Sequence, residues 1–164
     1  MFPAPRRIAT LPFVLALATF VAAAIAGVGA PAAIAQNSSE KKAADKPLYV
    51  EYKGVRLGME ASEARKILGE PKDKSDAQDF YMFSESEMAQ VFYDKGKVMA
   101  VCVNYVGPSS GAPLPKVVLG TEIEAKPDGA MHKLVRYPEA GYWVSYSRTG
   151  GDEPLVTVTM QKIK

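Results

Sequence analysis

One histidine, one cysteine and a short run of aspartates are the residues of this 164-residue chain whose types suit catalysis or metal binding. His132 would have to be the base of any Ser-His-Asp arrangement. No Gly-x-Ser-x-Gly elbow accompanies it, so His132 reads as a strand residue near a turn. One histidine and one cysteine do not supply the usual ligand set of zinc. Asp73, Asp76 and Asp79 lie close together in "KDKSDAQD". Paired carboxylates can do acid–base chemistry, but interspersed lysines read as a solvated connector. The spacing also misses the calcium loop, which needs glycine at position six and glutamate at position twelve. The sequence therefore predicts no catalytic site, no metal and no cofactor, and a protein that is not an enzyme.

Binding residues are easier to place. Side chains alternate between the two faces of a strand. In "KVMAVCVNY" the apolar set Met99, Val101 and Val103 reads as core. Ala100, Cys102 and Asn104 then share the other, more polar face. Cys102 reads as a semi-buried thiol, with a reactive or dimer-forming thiol as the alternative. In "GYWVSYSR", Tyr142, Val144 and Tyr146 alternate with Trp143, Ser145 and Ser147. In "LVTVTMQKI", Val156, Val158 and Met160 alternate with Thr157, Thr159 and Gln161. The apolar sets read as core. Trp143 is left on a face made otherwise of serine, threonine and glutamine, the setting of a binding anchor; the alternative is that Trp143 folds over the sheet edge or packs against a loop. The candidate partner-binding face is thus Trp143, Ser145, Thr157, Thr159, Gln161 and Asn104.

The elements that carry these residues follow from pattern and punctuation. Residues 1–35 read as an export signal. Arg6 and Arg7 precede an uncharged run from Ile8 to Ala30, and Ala33-Ile34-Ala35 ends it as a cleavage site before Gln36. An uncleaved inner-membrane anchor is the alternative, since the run is long enough to span a bilayer at about 20 residues. Removing the signal takes two of the 20 basic residues and none of the 18 acidic ones. The mature charge is then near zero, and nucleic-acid binding is not expected. Residues 36–47 are polar and read as a flexible leader.

Leu48–Tyr52 reads as a short edge strand. "VRLGMEASEARKILGEP" at 55–71 carries Ala61, Ala64 and Leu68 at helical spacing, ended by Gly69 and Pro71. Strands are predicted at Phe80–Ser84, Ala89–Asp94 and Lys97–Tyr105, with a tight hairpin at Asp94-Lys95-Gly96. A Pro/Gly/Ser-rich linker spans 107–115. "KVVLG" at 116–120 then echoes "RKILG" at 65–69. Strands follow at Met131–Tyr137, Tyr142–Arg148 and Leu155–Ile163. The repeated order predicts an α+β fold of two tandem units, 48–106 and 116–164. Each would be a helix plus a three-stranded antiparallel sheet, in two layers with the helices on one face.

The first half resembles the SmpA/OmlA (BamE-like) domain. The residues that carry the likeness are Gly58, Met59, Glu63, Leu68, Gly69, Pro71 and Phe92, then Gly96 with Lys97 and Val98, over about residues 52–105. That family's pattern is Gly-Met-Thr, a short helix, Leu-Gly-x-Pro and a three-stranded sheet. Its fold is shared with beta-lactamase inhibitory proteins, which carry two such units in tandem. Both groups work by binding proteins. Here Glu60 stands in place of the usual threonine, and no cysteine follows the signal to carry a lipid.

The resemblance implies an exported, non-enzymatic protein-binding module of the cell envelope, periplasmic or secreted. Its partner would be an outer-membrane assembly component or a secreted hydrolase. The alternative is a small-ligand or lipid-binding envelope protein with a groove between the two units.

Overall fold

The structure, a computed structural model, describes residues 46–163. The predicted export signal and the leader up to residue 45 lie outside the described residues. Ten elements follow in order: α1 (Ala61–Leu68), β1 (Asp73–Lys74), β2 (Gln78–Met82), β3 (Glu87–Asp94), β4 (Lys97–Val106), α2 (Pro115–Leu119), β5 (Met131–Tyr137), a 3-10 turn (Pro138–Ala140), β6 (Tyr142–Arg148) and β7 (Leu155–Lys162).

The seven strands form one antiparallel sheet in the order β1-β2-β3-β4-β7-β6-β5. This corrects the expectation of two helix-plus-three-strand units. Strand dominates, and the two α-helices have only 8 and 5 residues. The physical reason lies in β4 and β7, which would each be an edge strand if the halves stood apart. A long apolar edge invites pairing. Here the two edges pair with each other, from Ala100↔Gln161 to Val106↔Leu155. The junction buries Val101, Val103, Val158 and Met160 to 0% exposure, so the halves meet in a packed ladder. The edges that remain are guarded differently. β1 has two residues, and β5 exposes His132 and Arg136.

One face of the sheet holds the core. Tyr81, Val91, Val103, Val158, Val144 and Val135 come from six successive strands. Ala64 of α1 and Val118 and Leu119 of α2 pack on this face. The predicted strand at Leu48–Tyr52 does not form. Tyr52 makes only an isolated bridge with Val55. The segment instead lies against the core, with Tyr52 and Val55 buried and Tyr49 and Leu57 packed beside them. The Tyr52 hydroxyl donates to Glu87 Oε1 at 2.9 Å.

The β3–β4 hairpin turns on Lys95 (φ 51°) and Gly96 (φ 75°), two left-handed residues that match the twist of the strands. Its register is then broken. Tyr93 pairs with Val98 but Phe92 pairs with Ala100, so Met99 is an extra residue. The cause is visible upstream of α1. The Gly58 amide donates to the Val98 carbonyl at 2.7 Å, and the Val98 amide donates to the Met59 carbonyl at 2.8 Å. The Gly-Met pair thus docks on the hairpin, and the bulge turns Val98 inward beside Val101. Met99, placed in the core by simple alternation, is only partly buried.

Candidate binding face

The aspartate run is the first group the structure sorts. Asp73 and Asp76 are exposed, but Asp79, expected in a solvated connector, is 0% exposed. It is the one buried charged side chain among the described residues. Arg65 of α1 grips it with two bonds, Nε to Oδ2 at 2.8 Å and Nη2 to Oδ1 at 3.0 Å. The Tyr93 hydroxyl donates to Oδ2 at 2.6 Å. Burial alone raises the Asp79 pKa, but the hydrogen bonds from Arg65 and Tyr93 outweigh it. They hold the carboxyl below the ordinary carboxylate range. A carboxylate so committed is neither a free base nor a paired acid. It pins α1 to β2. Among the described residues no group of three or more His, Cys, Asp or Glu is placed to hold a metal ion.

The opposite face of the sheet is where the polar candidates fall. Cross-strand register lines them up in rows. One row runs Gln78, Phe92, Ala100, Gln161, Trp143, Arg136 from β2 to β5. The next runs Phe80, Gln90, Cys102, Thr159, Ser145, Leu134. A third runs Met82, Met88, Asn104, Thr157, Ser147, His132. The structure therefore brings Trp143, Ser145, Thr157, Thr159, Gln161, Asn104 and Cys102 onto one surface, with directly opposed side chains about 5 Å apart. All seven are partly buried. Ala100, the shortest side chain of its row, is 4% exposed, because Phe92 and Gln161 flank it.

Two details shape this face. The Thr157 hydroxyl donates to Asn104 Oδ1 at 2.8 Å, which fixes the Asn104 amide and leaves its NH₂ group as a donor. Cys102 is a free, partly buried thiol between Gln90 and Thr159. His132 stands exposed on the edge strand, directly opposite Ser147.

Sequence reasoning missed the contribution of the first half. Phe80, Phe92, Met82 and Met88 occupy the same face and add two aromatic and two thioether side chains to it. Alternation within β2 and β3 contains that signal. What it lacks is the register of β3 against β4, which the Met99 bulge shifts by one residue. The resulting face mixes two phenyl rings, an indole and two thioethers with amides and hydroxyls. That composition suits recognition of a protein surface, where aromatic anchors carry affinity and polar neighbours fix register.

Comparison of the chain with protein-family models, with curated proteins and with solved structures gives no match. The likeness to the SmpA/OmlA domain rests on the residues quoted for it above.

Proposed function

We propose that this protein is an exported, non-enzymatic binding module of the cell envelope, and that it holds a protein partner on the open face of its sheet. The observation that carries the reading is the placement of Trp143, Phe80 and Phe92 among hydroxyl and amide side chains on the face opposite both helices. A sheet that faced only water would be expected to alternate apolar-in with polar-out. The N-terminal signal pattern supports export.

The test is a comparison of variants at matched stability. Tagged wild-type protein, Trp143→Ala and Val117→Ala are used to capture partners from envelope extracts. Val117 is 62% exposed on α2, on the helix side. Loss of a captured protein with Trp143→Ala but not with Val117→Ala supports the face. Equal capture by all three rejects it.

A further inference from the structure

At the β5-β6-β7 end of the open face the sheet runs into a cleft of about 280 Å³. Lys126, His132, Ser147, Arg148, Thr149 and Thr157 supply its polar lining. No carboxylate is among the lining residues. Asp128, in the loop beside it, accepts the Ala130 amide at 2.9 Å instead. None of the ion pairs among the described residues involves Lys126 or Arg148.

The hydrogen bonds leave donors facing the cleft. Arg148 Nη1 donates to the Gly129 carbonyl at 2.7 Å, which holds the guanidinium in place and uses one of its five N–H groups. Thr149 Oγ1 accepts the Leu155 amide at 2.8 Å, so its own proton is directed elsewhere. Ser147 adds a second hydroxyl. Lys126 and Arg148 bring two positive charges to a cleft whose own lining holds no carboxylate, and like charges in one site repel, so an acceptor-only ligand there is favoured. The oxygens of a carboxylate or phosphate meet both needs, since they accept charge-assisted bonds from arginine, lysine and hydroxyls.

We propose that this cleft is an oxyanion-binding site that takes the carboxylate or phosphate group of a small ligand or of an acidic side chain on a docked protein. The site stands on its own geometry and does not require that a protein cover the rest of the face.

The experiment is a titration of the isotope-labelled full chain, followed by the amide signals of Ala130, His132, Ser147 and Thr149. Sodium phosphate, sodium acetate and an acetylated Glu-Glu dipeptide are the probes, each at constant ionic strength against sodium chloride. Saturable shifts confined to these amides are expected, with a dissociation constant of roughly 1 mM, the scale of a few charge-assisted hydrogen bonds. Lys126→Ala should weaken binding about tenfold. Lys126 is an exposed side chain, so its removal spares the fold. A dipeptide that binds at least tenfold tighter than acetate assigns the group to a polypeptide, and otherwise a small ligand is its source. Shifts that never saturate, that chloride reproduces, or that Lys126→Ala leaves unchanged overturn the proposal.

Discussion

Asp79→Ala is the substitution whose effect the structure specifies most closely. It removes a carboxylate at 0% exposure that accepts from Arg65 at 2.8 and 3.0 Å and from Tyr93 at 2.6 Å. Breaking a buried ion pair by deleting one partner costs about 3–5 kcal/mol, because the other charge is left uncompensated. The Arg65 side chain retains 24% exposure and recovers part of its hydration, which points to the lower end, about 3 kcal/mol. The Tyr93 hydroxyl is left in the core without its acceptor. For a domain near 100 residues each kcal/mol moves Tm by about 4–8 °C, so the expected fall is at least about 12 °C by calorimetry. Replacing both partners with apolar side chains, as Asp79→Leu with Arg65→Met, removes the uncompensated charge and should recover at least half of that loss. The pH dependence has a fixed sign. The folded pKa of Asp79 lies below its unfolded value. Its stabilisation is therefore fully present above about pH 4, the unfolded value, and is lost as pH falls through the folded pKa. The gap in Tm between wild type and Asp79→Ala should narrow only below about pH 4. A fall in Tm of less than about 3 °C at pH 7 would show that Asp79 is solvated or unpaired, and would refute this account of how α1 is fixed.

Three further outcomes follow from the same geometry. Burial, with the charge of Asp79 next, pushes the Tyr81 phenol up to about 12, and burial raises Tyr52 and Tyr93 as well. A folded pKa above the unfolded one means stability that is present below about pH 10 and is lost as pH rises through the folded value. Phenolate absorbance should therefore rise in step with loss of the sheet's circular dichroism, and phenolate appearing in the intact fold would contradict it. Val158→Ala, at the β4–β7–β6 core, should cost roughly 2 kcal/mol in denaturant midpoint analysis as lost transfer energy plus cavity, and a neutral result would place the junction in solvent. Thiol reagent should label Cys102 at least tenfold more slowly in native protein than in denaturant, since Gln90, Thr159, Ala100 and Asn104 surround it on the sheet; equal rates would expose it.

The parts of the fold that depend on neighbours in sequence were legible there. The bounds of Met131–Tyr137 and Tyr142–Arg148 coincide with the observed strands. Both are set by alternation between local breakers. The Asp94-Lys95-Gly96 hairpin is equally local, since two left-handed residues decide it. The candidate residues of β4, β6 and β7 share a face because parity along a strand survives any pairing that keeps the core inside. Long-range choices were not legible. Nothing near β4 says that its partner is β7, on the far side of α2, β5 and β6, so the repeat suggests two units where one sheet forms. Asp79 reads as solvated from sequence because its partner Arg65 lies on another element, and lysines around it are what a loop also shows. The Met99 bulge depends on the Val98 backbone bonding to Gly58 and Met59, a contact that alternation does not encode.

The central claim is that the open face of the sheet receives a protein partner. Site-specific photocrosslinking in cells addresses it most directly. A photoreactive residue is placed at Ser145 or Thr159 on the open face, and at Lys66 or Val117 on the helix side. The account predicts a discrete crosslinked protein from Ser145 and Thr159 that disappears when Trp143→Ala is added, and none from Lys66 or Val117. Crosslinks from the helix side alone, or an adduct at Ser145 and Thr159 that persists without Trp143, would contradict it.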